Sequence, residues 1–461
     1  MVGLSGRAEF RQQLHGEVVF HDDESYEYRR CGASWNGRNP RRYPDVLVFA
    51  DCADDVIATV QYARKNGKHI SCKTGGHSHS VCFLQANCIL LDFSRLNALH
   101  VNIKHKTVYV EAGVTSRQLD ETLATYALAF PTGHDGAVTM AGFLLGGGLG
   151  INCAAWGGMS TFNIEAVDVI LPSGERCHAS LSQCTDVYWA VRGGASGVFF
   201  AVIGFYLRCY DRPACITTNN YFFRLSELPA IVRIVSDISD SIEPSLQVML
   251  SMPIAPKALQ SKGAVEESER LAVISAVAFS GSKEEARRLH APLERHLTRS
   301  NALHIEKELA TTFDDFYTQS EKMAVCARWC ADNILTDEII PVSELLAKHV
   351  LLSPSLKSLP LIIWQGNRSW PDAAYSGRGS YFVSTYVQWD GDENDKEHSD
   401  WLYQCYSELE PFARGHYINE LDRERRPENI PSCYSVAHWE KLCLLKEQYD
   451  PDRVFLGFQL I

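Results

Sequence analysis

The sequence lacks the features that would place the protein in a membrane or on nucleic acid. It has no run of about eighteen apolar residues, the length that a membrane-spanning helix needs, so we expect no membrane span. Its 44 Lys and Arg residues are outnumbered by 56 Asp and Glu residues, and the net charge of −12 argues against nucleic acid as a partner. The first residues contain no apolar signal core, and from this we expect a cytoplasmic protein.

Cysteine is not scarce, but its spacing excludes the usual metal motifs. The chain has 15 cysteines and no Cys-x-x-Cys pair. Cys326 and Cys330 are four residues apart, but no histidine follows them at ligand spacing, so we expect no metal site. An odd and scattered set of cysteines without a signal peptide indicates reduced thiols.

The hydrophobic pattern of the first 210 residues predicts an α+β domain. A chain of 461 residues that is 46% hydrophobic can bury two cores. Strand-like and helix-like segments alternate here between frequent glycine turns. A helix is expected over 54–66 with Gly67 as its stop, and Thr115 and Gln118 have the spacing of a capping box that opens another helix.

The pattern changes near residue 210, which indicates a second domain. The glycine clusters disappear from there to about residue 410. Helical patterns at 228–238 and 283–297 mix with a strand-like run at 381–388, and a last helix is expected at 435–449. No repeat or low-complexity segment suggests a third kind of structure.

Two glycine-rich segments are the most informative local feature. Residues 73–79 read Lys-Thr-Gly-Gly-His-Ser-His after a short β-type stretch, and residues 145–150 read Leu-Gly-Gly-Gly-Leu-Gly. Paired glycines let the backbone turn tightly, and successive N–H groups in such a turn can hold a pyrophosphate. A histidine in the same loop can reach the organic part of that ligand. The pattern therefore favours a phosphate-bearing cofactor and an enzyme.

These segments belong to a longer series of motifs. The series comprises Gly-Gly-His-Ser at 75–78, Phe-Pro-Thr-Gly at 130–133, Gly-Gly-Gly-Leu-Gly at 146–150 and Trp-Ala-Val-Arg-Gly-Gly at 189–194. Its order and spacing are similar to those of the vanillyl-alcohol-oxidase/PCMH superfamily of FAD-linked oxidases. The tail at 439–455 resembles the closing segment of the berberine-bridge-enzyme-like branch, and the resemblance spans nearly the whole chain.

The resemblance implies a two-domain PCMH-type FAD-binding fold of the α+β class. We expect an FAD-binding domain at 1–210, with its PCMH-type core at about 40–210. A substrate-binding domain at 211–414 is expected to have an antiparallel sheet covered by helices. The remaining 415–461 should form the berberine-bridge-like segment that returns to the FAD domain.

The resemblance also implies which residues hold FAD. His77 is expected to carry a covalent 8α-histidyl link. Many relatives add a second link through a cysteine, but this chain has Asp135 at that position, so we predict a single link. Cys153 is expected to be a buried thiol. The full set of implied FAD contacts is Lys73, Thr74, Gly75, Gly76, His77, Ser78, His79, Asp135, Thr139, Gly142, Gly197, Val202 and Gln459.

The chain departs from the family pattern at several positions. Thr139 and Ala141 replace usual glycines, and Phe200 stands where a glycine normally follows the arginine-glycine run. The tail lacks the customary asparagine. These departures concern cofactor affinity and loop shape rather than the fold.

Glu420 is the candidate catalytic base. It aligns with the last position of Tyr417-Ile-Asn-Glu420, where relatives often carry a tyrosine that acts as base. A carboxylate beside an apolar ring would have a raised pKa and could accept a proton. The alternative is a surface glutamate or one paired with Arg423. Tyr417, Tyr381 and Arg378 are further pocket candidates, although packing or hydrogen bonding is the alternative for Tyr381.

Other polar residues of the motifs have both a catalytic and a structural interpretation. Asp135 could tune the flavin or orient substrate, or it could be a turn residue that follows His134. His79 and His134 are more typical of hydrogen-bonding loop residues than of catalytic groups. The basic cluster at 423–426 alternates with acids, and we expect a solvated loop there.

The leading hypothesis is an O2-dependent FAD oxidase of a small molecule, active in specialised metabolism. Its substrate would be an alcohol, an amine or a polyketide- or alkaloid-like intermediate, which loses a hydride to FAD while a base takes a proton. One alternative is a flavin dehydrogenase that uses another acceptor. Another is a non-redox cyclase or binding protein that keeps FAD as structure. The pattern predicts no particular oligomeric state.

Overall fold

The computed structural model describes residues 4–260, 266, 269–366 and 369–457, which form two compact units. The described residues of the first unit fall within Met1–Asp211, Trp370–Ser376 and Tyr434–Ile461. Those of the second fall within Arg212–Ser369 and Gly377–Cys433. Helices and strands are mixed in both units, and the predicted α+β class is confirmed.

A mostly parallel sheet forms the start of the first unit. Its strands occur in the order β1-β2-β4-β3, with β2, β4 and β3 parallel and β1 antiparallel to β2. The strands are β1 (Glu17–Phe20), β2 (Val46–Phe49), β3 (His69–Lys73) and β4 (Cys88–Asp92), and the helices are α1 (Leu4–Gln13), α2 (Tyr26–Cys31) and α3 (Ala53–Lys65). The helix expected at 54–66 is α3, and Gly67 follows it with a φ of 58°.

An antiparallel sheet of order β5-β6-β10-β8-β9 completes the strands of the first unit, beside a two-stranded β7–β11 ribbon. The strands are β5 (Leu99–Asn102), β6 (Thr107–Glu111), β7 (Leu128–Ala129), β8 (Ile164–Ile170), β9 (Arg176–Ser180), β10 (Ala201–Arg208) and β11 (Tyr210–Asp211). The helices are α4 (Ser116–Ala124), α5 (Met140–Leu145) and α6 (Thr185–Val191). The predicted capping box of Thr115 and Gln118 opens α4.

The second unit has a seven-stranded antiparallel sheet of order β15-β12-β14-β13-β17-β18-β16. Its strands are β12 (Cys215–Arg224), β13 (Leu246–Ser251), β14 (Leu271–Ser280), β15 (His304–Ala310), β16 (Arg328–Thr336), β17 (Leu359–Trp364) and β18 (Tyr381–Trp389). The helices are α7 (Leu228–Asp237), α8 (Lys257–Gln260), α9 (Lys283–Leu297), α10 (Phe313–Met323), α11 (Ile339–Leu351) and α12 (Asp395–Leu409).

Alternation along β18 separates the two faces of this sheet. Tyr381, Val383 and Val387 belong to the core that the sheet forms with the apolar sides of the helices. Successive side chains of a strand point to opposite faces, so Ser384 and Tyr386 lie on the other face. The β18–β16 register runs without a bulge from Tyr381 to Trp389, which keeps this alternation intact.

The last helix, α13 (Val436–Tyr449), belongs to the first unit. Lys446 of this helix donates to the carbonyl oxygens of Val198 and Phe455, at 2.6 and 2.9 Å. The chain after α13 lies beside β3, where Ile70 exchanges backbone hydrogen bonds with Val454 and Leu456. Among the helices of the described residues, none has the length and apolarity needed to cross a bilayer.

Candidate active site

The first unit contains a groove that brings together residues from three separate segments in or near the sequence motifs. Its volume is about 300 Å³, including its open mouth. Five of the residues expected to contact the cofactor line it, namely Lys73, Thr74, Gly142, Gly197 and Val202. Phe200, which replaces a glycine of the family pattern, also lines the groove. The groove therefore joins the end of β3, the helix α5 and the start of β10.

Two glycines keep the groove open. A Cβ atom added to Gly142 would meet nothing closer than the Thr74 hydroxyl at 3.8 Å, and one added to Gly197 would meet Cys72 at 3.9 Å. Protein packing alone therefore does not require glycine at position 142. Since these positions line the groove, side chains there would fill it, and the residues present fit a cofactor that lies along this wall.

A leucine at position 142 should therefore block cofactor uptake without unfolding the protein. We expect Gly142→Leu to keep the fold, because a side chain is favoured over glycine inside a helix by roughly 1 kcal/mol. The FAD content of the purified protein should fall at least about tenfold, because the new side chain occupies the groove. Absorbance at 450 nm per protein measures this, and Gly281→Leu, in the second unit, is the matched control. Full FAD content in Gly142→Leu would contradict the placement.

Lys73 has a structural partner at the base of the groove. Its ammonium contacts the Asp92 carboxylate at 2.6 Å, and less than a tenth of either side chain is exposed. The parallel pairing of β3 with β4 places the two residues side by side. The pair neutralises both charges, so Lys73 supports the end of β3 as well as lining the groove.

The loop after Thr74 turns tightly and places His77 against Trp35. Gly76 has a φ of 72°, and a Cβ atom there would lie 2.2 Å from the Ala33 carbonyl oxygen, so only glycine fits. The His77 and Trp35 rings are stacked with centroids 5.7 Å apart. No sequence pattern indicated Trp35, since it lies in a polar segment 42 residues before its partner.

His77 has the properties of a neutral nucleophile. Its buried Nδ1 atom has no hydrogen-bond partner in the protein. Burial lowers the pKa of His77, while the nearby charge of Asp135 raises it to a smaller extent. The imidazole is thus neutral at pH 7, with an unused ring nitrogen three residues beyond the groove-lining Thr74.

The other polar residues of the loop are held by local hydrogen bonds. The Thr139 hydroxyl bonds to the Thr74 hydroxyl at 2.7 Å and accepts from the Gly75 amide at 3.1 Å. Asp135 accepts the amide of Ala137 at 2.8 Å, in agreement with its interpretation as a turn residue. Its charge still acts on His77, so the turn also places a carboxylate near that imidazole.

Ser78, His79 and Gln459 complete the expected set of FAD contacts, and Cys153 is the residue expected to be a buried thiol. Ser78 bonds to the hydroxyl of Ser80 at 3.3 Å. The backbone carbonyl of His79 accepts from the Asn36 amide at 2.9 Å. Cys153 is buried, as predicted. Gln459 lies outside the described residues.

Burial of two histidines should make stability depend on pH. Burial lowers the pKa of both His79 and His134 to about 4. The unfolded chain, with an ordinary pKa near 6.5, binds these protons first. The contribution of these neutral histidines to the free energy of unfolding is therefore fully present above pH 6.5. It falls by about 2 to 3 kcal/mol for each histidine as the pH falls towards 4. Urea unfolding of the FAD-free protein at several pH values tests this, and His134→Asn should show a shallower decline. Equal declines in the two proteins would exclude His134 as a source.

The triple glycine packs against a segment that the sequence analysis did not single out. Gly147 and Gly193 have φ values of 120° and 99°, and Cβ atoms there would lie 2.8 and 2.4 Å from the Tyr375 side chain. The Tyr375 amide donates to the Arg192 carbonyl at 2.9 Å. Trp370–Ser376 thus contacts both glycine motifs of the first unit. Only glycine at positions 147 and 193 leaves room for Tyr375. The unusual density of glycines in these two motifs is the sequence feature that could have indicated a close contact there.

Glu420, in the second unit, lies among hydroxyl groups. Its Oε2 accepts the Ser384 hydroxyl at 2.7 Å, and the Tyr386 hydroxyl also bonds to this carboxylate. Burial raises the pKa of Glu420. Both hydroxyls come from the β18 face that lacks the helix-packed core. Glu420 is therefore not an exposed surface glutamate.

Tyr417 is close in sequence to Glu420 and is fixed by Asn333. The Asn333 side chain accepts the Tyr417 amide at 2.7 Å and donates to its carbonyl at 3.0 Å. The Tyr417 hydroxyl accepts from Asn419. This double hydrogen bond holds the segment that carries Glu420 against β16.

The structure does not bring Tyr381 together with Glu420. Tyr381 is 4% exposed and belongs to the helix-packed core on the opposite face of β18, where burial raises its pKa. This placement favours its alternative interpretation as a packing residue. Arg378 is exposed.

The expectation of a solvated loop at 423–426 is wrong for Arg426. That residue is 2% exposed and contacts the buried Asp332 carboxylate at 2.7 Å and also the Glu410 carboxylate. Desolvation raises the pKa of Asp332 to about 6, although the Arg426 charge opposes the shift. Both partners are distant in sequence, so charge patterning within the loop could not predict the contact.

Comparisons with known proteins agree with this geometry. Residues 44–180 match the family model of an FAD binding domain. The FAD-linked oxidoreductase nodO of Hypoxylon pulicicidum is 25% identical over 443 residues, which are 94% of this chain and 95% of that protein. The solved structure of Physcomitrella patens BBE-like 1 has a TM-score of 0.81 with 19% identity, and the match covers 99% of this chain and 98% of that one.

A third similar protein is the glucooligosaccharide oxidase of Acremonium strictum, which carries a 6-S-cysteinyl, 8α-N1-histidyl FAD. Its TM-score is 0.83 with 18% identity, over 99% of both chains. Together with the FAD-binding match and the berberine-bridge-enzyme-like fold, these findings confirm the resemblance seen in the sequence. The chain therefore contains an FAD binding domain, has the fold of the berberine-bridge-enzyme-like proteins and is an FAD-linked oxidoreductase.

Proposed function

We propose that the protein is an FAD-dependent oxidase of a small organic substrate, with O2 as the electron acceptor. The substrate class is an alcohol, an amine or a polyketide- or alkaloid-like intermediate. The observation that carries the proposal is His77, a neutral imidazole with an unused buried nitrogen in the loop that follows the groove-lining Thr74. Bound FAD supplies the two-electron oxidant, and the residues of this chain hold it and manage the proton.

His77 is proposed to hold FAD through a single covalent link. A neutral imidazole is a competent nucleophile, and its stack against Trp35 limits the rotation of the ring. The glucooligosaccharide oxidase uses both a histidine and a cysteine. In this chain the position expected for that cysteine is Asp135, which has no sulfur to form a second link.

Glu420 is proposed to take the substrate proton. Its support is the raised pKa that burial causes and the two hydroxyl donors, Ser384 and Tyr386, that orient the carboxylate. A raised pKa makes the carboxylate a stronger base, and such a base does not need a metal ion to act. Tyr417 and the Asn333 clamp are proposed to fix the segment in which this carboxylate lies.

Oxygen and peroxide measurements test the proposed reaction. The purified yellow protein is incubated with a panel of alcohols and amines in air, and we expect O2 consumption and H2O2 release in equal amounts. Rapid bleaching of the flavin under argon with slow recovery in air, but fast recovery with a quinone, would contradict the oxidase and indicate a dehydrogenase. Product formation without bleaching would indicate a non-redox cyclase.

A further inference from the structure

Two of the 15 cysteines lie at the two ends of one tight turn, and neither lines the groove. All 15 cysteines lie in the described part of the chain, and none forms a disulfide there. Cys177 lies in β9 and is 7% exposed, whereas Cys184 is exposed and immediately precedes α6. Burial raises the pKa of the Cys177 thiol, and the neighbouring Cys184 thiol raises it further. The Cys177 sulfur is therefore buried, whereas solvent can reach the Cys184 sulfur.

A tight turn brings the two thiols together. Ser180 and Gln183 exchange backbone hydrogen bonds of 2.8 and 3.3 Å, so the chain reverses directly after β9. Cys184 then has a left-handed φ of 46°, and its carbonyl accepts the Tyr188 amide at 3.0 Å as α6 begins. Only six residues separate the cysteines, so a bond between them would close a short loop of chain that is already folded.

Both thiols lie beside Tyr449 of α13, whose pKa is raised by burial and, to a smaller extent, by their proximity. The Tyr449 ring stacks on Phe199 with centroids 5.1 Å apart, and Phe199 meets Phe200 edge to face at 5.0 Å. Phe200 lines the groove. A row of three aromatic rings thus extends from the thiol pair to the groove.

We propose that Cys177 and Cys184 form an intramolecular disulfide when hydrogen peroxide oxidises the protein. The Cys184 sulfur attacks one peroxide oxygen, the O–O bond breaks, and a sulfenic acid and one water form. The Cys177 sulfur then attacks the Cys184 sulfur, the S–S bond forms, and a second water leaves. The two thiols lose two electrons and two protons, and one H2O2 becomes two H2O.

The order of these steps follows from exposure. Cys184 is open to solvent, whereas burial raises the pKa of the Cys177 thiol to about 12, which keeps it protonated and slow to react with peroxide. Cys177 therefore acts as the resolving thiol. The inference is independent of the proposed oxidase activity, because the peroxide in the test is added from outside.

Peptide mapping of the FAD-loaded protein tests the inference directly. Trypsin releases residues 177–192 as one peptide that contains both cysteines and no other. After H2O2 treatment and iodoacetamide, we expect this peptide to be two hydrogens lighter and to carry no alkyl group. Dithiothreitol should restore two alkylation sites. The internal control is the exposed Cys443, which is the only cysteine of the tryptic peptide 442–446. This peptide should form no disulfide with the peptide 177–192.

A variant separates the pair from a merely reactive surface thiol. In Cys177→Ser, the Cys184 sulfenic acid has no resolving partner, and we expect at least about ten times more dithiothreitol-resistant oxidation of Cys184. If that variant folds poorly, Cys184→Ser serves instead, and its Cys177 should stay alkylatable after peroxide. Two alkyl groups on the wild-type peptide after Cys443 has been oxidised would overturn the proposal. Equal irreversible oxidation of Cys184 in wild type and Cys177→Ser would also overturn it.

Discussion

His77→Ala protein should release all of its FAD when it is denatured in acid. Alanine has no nucleophile, and we propose no second attachment residue, so the covalently bound fraction should fall at least about hundredfold. The groove walls are unchanged in this variant, since His77 is not among the residues that line it. Some FAD should therefore still bind to the native protein. Flavin fluorescence of the acid-precipitated pellet, compared with that of the supernatant, measures the effect.

His79→Ala is the matched control for this experiment. His79 lies two residues further along the same loop, and its ring meets Trp35 edge to face with centroids 5.7 Å apart. We expect its pellet to stay yellow, because the link belongs to His77. A yellow pellet from His77→Ala would refute the assignment, and the loss of colour from His79→Ala alone would move the link to that residue.

Glu420→Gln should lower kcat by about 10²- to 10³-fold at pH 7. Glutamine has the same shape and can still accept the Ser384 hydroxyl, but it cannot take a proton. In the wild-type protein, kcat should rise with pH through a pKa above the ordinary value for glutamate, because burial raises it and only the ionised form acts as base. This rise should be absent in Glu420→Gln. Peroxide release with a substrate from the panel is the measurement.

Glu428→Gln is the control for this variant, because Glu428 lies in the same segment but is exposed. Its kcat and pH profile should match those of the wild type. An unchanged flavin spectrum in Glu420→Gln shows that the fold is intact. If Glu420→Gln keeps the wild-type kcat, the carboxylate is not the base. If its kcat is lower but its pH profile matches that of the wild type, Glu420 has only a structural role.

Local patterns predicted the elements of the fold well. The helix α3 and the capping box of α4 follow from apolar spacing and from Thr115 and Gln118, which act within one turn. The β18 strand and the helices α7 and α9 also occur where periodicity placed them. These features depend on neighbours within a few residues, and a single sequence contains that information.

Contacts between distant segments could not be predicted in the same way. Trp35 stacks on His77, and Arg426 pairs with Asp332, across 42 and 94 residues of chain. The motif resemblance identified the groove residues, because glycines have a recognisable spacing. The resemblance did not indicate which aromatic or charged residue contacts each motif, because that contact depends on how distant segments pack in the folded protein.

The face of a strand is also decided by packing rather than by composition. Tyr381 and Tyr386 occur in one strand-like run and are equally plausible pocket residues by type. Their separation is an odd number of residues, so one joins the helix-packed core and the other meets Glu420. The sequence alone did not say which face the helices would cover.

The most direct test of the account is the mass of one tryptic peptide. Residues 74–95 are released as a single fragment that contains His77, and residues 118–176 contain both Asp135 and Cys153. We expect the first peptide to carry the mass of one flavin cofactor, localised to His77 by fragmentation, and the second to carry none. Flavin on the 118–176 peptide, or on neither peptide of the yellow protein, would contradict the account.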